Sequence, residues 1–125
     1  MYFHDYDSSY DPAFPVVEVA VSMLREQASI SLVALIDSAA DATSIPLHAL
    51  RQIGALPAES RWLRGVTGER HRVELYEVYL QIGVYGQYLL VVGDTFSDEA
   101  IVGRDILNHY VVTLDGPASV VEITA

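Results

Sequence analysis

Cysteine is missing from the 125 residues, which excludes a disulfide framework and any thiol chemistry. The absence fits a reducing cytosol, so a cytoplasmic location is expected. Lysine is missing too: all seven bases are arginine, set against 17 acids for a formal charge of −10. A surface of that sign repels phosphate backbones, so nucleic acid is not an expected partner. No apolar run approaches the ~20 residues of a membrane helix, and Met1–Asp7 has neither the basic start nor the apolar core of a leader. No membrane partner is expected. His4, His48, His71 and His109 show no ligand spacing with one another, so neither a metal nor another cofactor is expected. A serine nucleophile is disfavoured because no Gly-x-Ser-x-Gly elbow occurs.

What the chain does have is apolar residues, 51 % of the total. That suffices for one domain with an aliphatic and aromatic core. Residues 1–15, rich in Tyr, Asp, Ser and Pro and without a period, are expected to form an extended N-terminal arm. The domain proper is expected over residues 16–125.

One stretch organises the rest: Leu32-Val33-Ala34-Leu35-Ile36-Asp37-Ser38-Ala39-Ala40-Asp41-Ala42-Thr43-Ser44-Ile45-Pro46. Its first half reads as a buried core strand bounded by small turn residues. The strand delivers Asp37 into a loop, and a rigid strand that meets a loop is a usual place for chemistry. The alternative is that Asp37 and Ser38 are turn formers bonding nearby amides. A second stretch, Ala100-Ile101-Val102-Gly103-Arg104-Asp105-Ile106-Leu107, reads as an apolar strand, a glycine and a short helix extending to Tyr110.

Around these lie further elements. Val16 to Met23 alternates as a half-buried strand, with Val17, Val19 and Val21 on one face. Pro46 to Ile53 reads as a short helix that Gly54 stops. Arg61–Arg64 and Arg70–Val73 flank a glycine-bearing tip, Gly65-Val66-Thr67-Gly68-Glu69. The basic residues of this hairpin (Arg61, Arg64, Arg70, His71 and Arg72) could meet an acidic substrate or partner, and are first read as a solvated face paired with the chain's own acids. Val73–Ile82 and Tyr88–Val92 are further strands, and a hairpin of residues 111–114 with 119–123 closes the chain. The fold class is all-β, with one or two short helices.

Leu-Ile-Asp-Ser-Ala-Ala-Asp-Ala-Thr and Ile-Val-Gly-Arg-Asp-Ile-Leu-Asn, about 65 residues apart in that order, together resemble the retropepsin family, the single-domain aspartic proteases of retroviral type. The resemblance implies a closed β-barrel of the acid-protease kind that works as a homodimer on a peptide or protein substrate. Asp37 takes the place of the catalytic carboxylate, within an active-site loop of Ser38, Ala39 and Ala40. Ser38 matches the hydroxyl that braces two such loops against each other, and Ala40 the small residue lining the cleft. Asp41 matches the acid that holds peptide main chain, and Arg104 the helix arginine that supports it as a buried ion pair. Gly65, Val66, Thr67 and Gly68 fall where the family has its flap, the hairpin that closes over substrate.

Aspartic proteolysis needs two carboxylates sharing one proton, and this chain has one such element. Asp94-Thr95-Phe96 shares two letters with it, but bulky Phe96 and acidic surroundings make it a loop. The implied enzyme is therefore a homodimer contributing Asp37 twice. Ala39 departs from the family, which has glycine there. It favours a second reading: a catalytically inactive module of the same fold, used for dimerisation or peptide binding. A third reading, an unrelated small barrel for an apolar ligand, would be monomeric.

Overall fold

A computed structural model describes residues 1–65 and 67–125. In chain order its elements are β1 (Tyr2–Asp5), β2 (Val16–Ser22), β3 (Ile30–Ile36), β4 (Ser44–Pro46), α1 (Leu47–Gln52), β5 (Pro57–Arg64), β6 (Arg70–Ile82), β7 (Tyr85–Asp94), β8 (Ala100–Val102), α2 (Arg104–Leu107), β9 (Val111–Asp115) and β10 (Val120–Thr124). Six strands close into a barrel in the order β2-β3-β8-β4-β7-β6, with β6 returning to β2. β5 extends β6 outside that ring, while β1, β10 and β9 form a separate three-stranded sheet. The expected all-β barrel with two short helices is therefore present. No helix among the described residues is long and apolar enough to cross a membrane.

A barrel wall has one inner face, so its strands bury alternate residues. β2 follows the expected alternation, with Val17, Val19 and Val21 fully buried. Ser22, expected on its outer face, is also buried, its hydroxyl donating to the Leu24 carbonyl at 2.8 Å. β3 corrects the sequence reading. It is not a core strand on both faces: Ala34 and Ile36 are buried, but Val33 is 52 % exposed. The continuous apolar run concealed a period of two. The barrel interior and the small sheet share one hydrophobic cluster, to which β10 contributes Val121 and Ile123.

Other boundaries differ from expectation for identifiable reasons. The segment expected as an arm is tied down: β1 pairs antiparallel with β10, Tyr2 opposite Ile123 and Asp5 opposite Val120. The Tyr2 hydroxyl also accepts a hydrogen bond from the Glu18 amide at 2.9 Å. Burial holds that hydroxyl above the ordinary phenol range. β6 is one strand of 13 residues rather than a hairpin return followed by a second strand. α2 is four residues long and not the expected two turns. Beyond Leu107 the chain tightens, with His109 and Tyr110 amides bonding the carbonyls of Ile106 and Leu107. Tyr110 then packs on Tyr85 with ring centroids 5.0 Å apart.

Candidate active site

The two stretches that stand far apart in the sequence meet because their strands are neighbours. β3 and β8 run parallel, Ala34 opposite Ala100 and Ile36 opposite Val102. Each strand therefore releases its next residue, Asp37 and Gly103 respectively, at the same rim of the barrel. The Asp37 amide donates to the Val102 carbonyl at 3.1 Å. Beyond it the chain turns tightly: the Asp37 carboxylate accepts from the Ala39 amide at 3.0 Å, and its carbonyl accepts from Ala40 at 3.2 Å. The turn-former reading of Asp37 is thus correct as local structure.

Across the rim, the start of α2 grips this loop. The Arg104 amide donates to the Ala40 carbonyl at 2.9 Å, and its guanidinium Nη1 to the Ser38 carbonyl at 2.7 Å. The same guanidinium pairs with the Asp41 carboxylate. The pair joins the residues the resemblance implies, but it is not buried: in the single chain the Asp41 side chain is 83 % exposed and that of Arg104 42 %. Asp41 lies on the outer turn of the loop, where the barrel supplies no cover.

Two residues without an assigned role do more of the fastening. The buried Thr43 hydroxyl donates to Asp105 Oδ1 at 2.7 Å while the Thr43 amide donates to Asp105 Oδ2 at 2.9 Å. The Thr43 hydroxyl also accepts from the Gly103 amide at 3.2 Å. A carboxylate that takes two bonds from one residue fixes that residue's position and orientation together. The only sequence signal was a threonine in a run of small residues followed, much later, by an acid in a helix's first turn. Replacing Thr43 by Val keeps the shape and the backbone bond to Asp105 Oδ2, but leaves Asp105 Oδ1 and the Gly103 amide without their hydroxyl partner. The expected cost is about 2 kcal/mol, read as a lowered denaturant midpoint. Asp41→Ala, which removes an exposed pair, is expected to cost less than about 1 kcal/mol.

Gly103 itself admits no side chain. A Cβ there would lie 2.8 Å from the Ala42 carbonyl carbon and 2.9 Å from the carbonyl oxygens of Ala40 and Ala42. Ala39, standing where the resembled family has glycine, needs no such freedom. Among the described residues Ser119 is the one non-glycine at positive φ, so the Ala39 backbone lies in a region open to any residue.

A cleft of about 500 Å³ opens beside the loop. Ala39, Ala40, Asp41, Ala42 and Ser44 form one wall, Leu63, Arg64 and Gly65 of the β5–β6 hairpin another, and Val92 and Ile101 complete it. The Asp37 carboxylate is not part of this lining in the single chain. Of the tip residues with an expected substrate-facing role, Gly65 reaches the cleft. Thr67 instead bonds the Glu69 carboxylate, and Gly68, at φ +86°, turns the tip with its amide on the Gly65 carbonyl at 3.0 Å. Val66 lies outside the described residues. A smaller cavity of about 180 Å³, bounded by Leu47, His71, Tyr76 and Phe96, does not touch the Asp37 loop.

The chain folds as a closed six-stranded β-barrel with two short helices. Among solved structures the chain is similar to the foamy viral protease-reverse transcriptase dRH in complex with ds DNA, with a TM-score of 0.54 and 16 % identity. The match covers 78 % of this chain and 16 % of that one. At that identity the likeness shows the fold alone, and this chain spans about one sixth of the length of the viral chain. No family model matches the sequence, and no curated protein does.

Proposed function

We propose that two copies of this chain form an aspartic endopeptidase, with the two Asp37 carboxylates facing each other across a twofold axis. Two carboxylates that close cannot both ionise, so the pair holds one proton between them. The ionised member takes a proton from water, which attacks the peptide carbonyl, and the protonated member donates to the carbonyl oxygen. The observation that carries this reading is the fastening of the Asp37 loop. Asp37 sits at the end of a barrel strand, and the loop behind it is bonded to the Gly103-Arg104-Asp105 corner through Val102, Ala40, Ser38 and Thr43. A catalytic group held by such a frame is pre-organised. The apolar cleft next to the loop, walled by a hairpin, suits an extended peptide.

The second reading, a peptide-binding or dimerisation module without catalysis, has one observation in its favour. Ala39 lines the cleft, so its methyl group takes space that a glycine would leave to substrate backbone.

The test is hydrolysis of a mixed peptide library from mildly acid to neutral pH, repeated across protein concentrations. A shared dyad is expected to give cleavage that rises faster than linearly with protein at low concentration. A folded, demonstrably dimeric sample that binds peptides and cleaves none would overturn the enzyme in favour of the module.

A further inference from the structure

The hairpin's basic residues have different fates. Arg61 pairs with Glu59 at 2.7 Å. Arg72 donates to the Ser60 hydroxyl at 3.2 Å, which itself donates to Glu74. The Arg70 guanidinium lies over the Trp62 ring, 5.5 Å from its centroid, and His71 faces Glu69 at 3.2 Å. Arg64 stands apart among these bases: within the described residues its side chain makes no ion pair, no hydrogen bond and no stacking contact with a ring, although 17 acids are present. It is also the one base of the hairpin that lines the large cleft.

The rest of the cleft is mostly apolar, with Leu63, Val92 and Ile101 beside the alanines of the loop. Its other charge, Asp41, is already neutralised by Arg104. The cleft therefore presents one uncompensated positive charge on a chain of net charge −10. A guanidinium offers parallel donors that match a carboxylate.

We infer that Arg64 is a specificity-determining residue, selecting peptides that carry an Asp or Glu carboxylate close to an apolar side chain held between Leu63, Val92 and Ile101. The inference rests on the reading of the cleft as a peptide site. The acidic surface elsewhere disfavours acidic peptides at long range, so the preference is confined to the single position that reaches Arg64. It weakens with salt, because Arg64 is exposed.

The experiment measures binding to the Asp37→Asn protein, which keeps the cleft and removes turnover. The probes are labelled octapeptides with one fixed Leu, in which Glu or Gln is placed at each flanking position in turn. One Glu position is expected to bind about fivefold tighter than its Gln counterpart at low salt. Arg64→Gln should erase that difference with the Gln peptide unaffected, and Arg64→Glu should shift the preference to Lys. A Glu preference that survives Arg64→Gln would overturn the inference. So would equal weakening of both peptides, or no peptide binding at all. The protein with Asp37 intact separates the two readings. Cleavage of Glu and Gln peptides without preference removes the role of Arg64 alone, whereas Glu-selective binding without cleavage removes the catalytic reading alone.

Discussion

Asp37→Asn is expected to lower kcat/KM for peptide hydrolysis by about 10³-fold or more, with stability changed by no more than about 0.5 kcal/mol. The two parts have separate causes. An amide has nearly the carboxylate's shape, and its oxygen still accepts from the Ala39 amide, the one side-chain bond Asp37 makes among the described residues. The backbone bonds from Asp37 to Val102 and from Ala40 to Asp37 do not involve the side chain. In the proposed enzyme, chemistry fares otherwise, since an amide can neither take a proton from water nor share one with its twin, and the proposed homodimer would lose both groups at once. Steady-state kinetics beside a thermal melt would separate the effects. Undiminished cleavage by a folded Asp37→Asn protein would place the activity elsewhere, and a collapsed melt would show that Asp37 is mainly a structural turn residue.

Gly103→Ala is expected to have the largest effect on stability, about 3 kcal/mol, which in a chain of this size lowers the melting temperature by about 10 °C. The added methyl would meet three backbone atoms of Ala40 and Ala42 at 2.8 to 2.9 Å. Backbone has no rotamer to change, so either the loop or the β8–α2 corner must move. Both are held by the Thr43–Asp105 bonds. Gly116→Ala, with no atom within 4 Å of the new Cβ, is the control and should shift stability by no more than about 0.5 kcal/mol. Equal melts for the two variants would show that the corner is more yielding than its contacts indicate. Since the displaced atoms belong to the loop behind Asp37, activity should fall further than stability alone accounts for.

Much of the frame was legible in the residues. The two apolar runs before Asp37 and Gly103 read as strands and are strands, and the partnership of Arg104 with Asp41 followed from the resemblance. The exposure of that pair was not legible, because it depends on what the barrel leaves uncovered. The bond between Thr43 and Asp105 is hidden in the sequence for a related reason. Their bond spans 62 positions, and neither residue has a local pattern that marks it as buried or paired. The N-terminal strand was hidden likewise: Tyr-Phe-His-Asp favours no period over four residues, and its partner is at the other end of the chain. Alternation in β2 was visible, whereas in β3 the outward Val33 and Leu35 are as apolar as the inward residues and masked it. The cleft depends on where the hairpin leans over the loop, which no single segment encodes.

β6 also sets two timescales along one strand. From Leu75 to Ile82 it is laddered to β7, and at Tyr79 to Gln81 to β2 as well, so those amides are part of the closed barrel. From Arg70 to Glu74 its one neighbour among the described residues is β5, itself the edge strand of the sheet. Releasing the upper half breaks a two-strand ladder, while releasing the lower half breaks the barrel. Amide hydrogen exchange is therefore expected to pass, near Leu75, from local opening to an unfolding-limited regime that follows global stability. The register irregularity between Pro57 and Glu59, opposite Tyr76 and Leu75, falls at that crossing. Local opening of the β5–β6 ladder above Leu75 is then expected to leave the barrel ladder of Leu75–Ile82 intact.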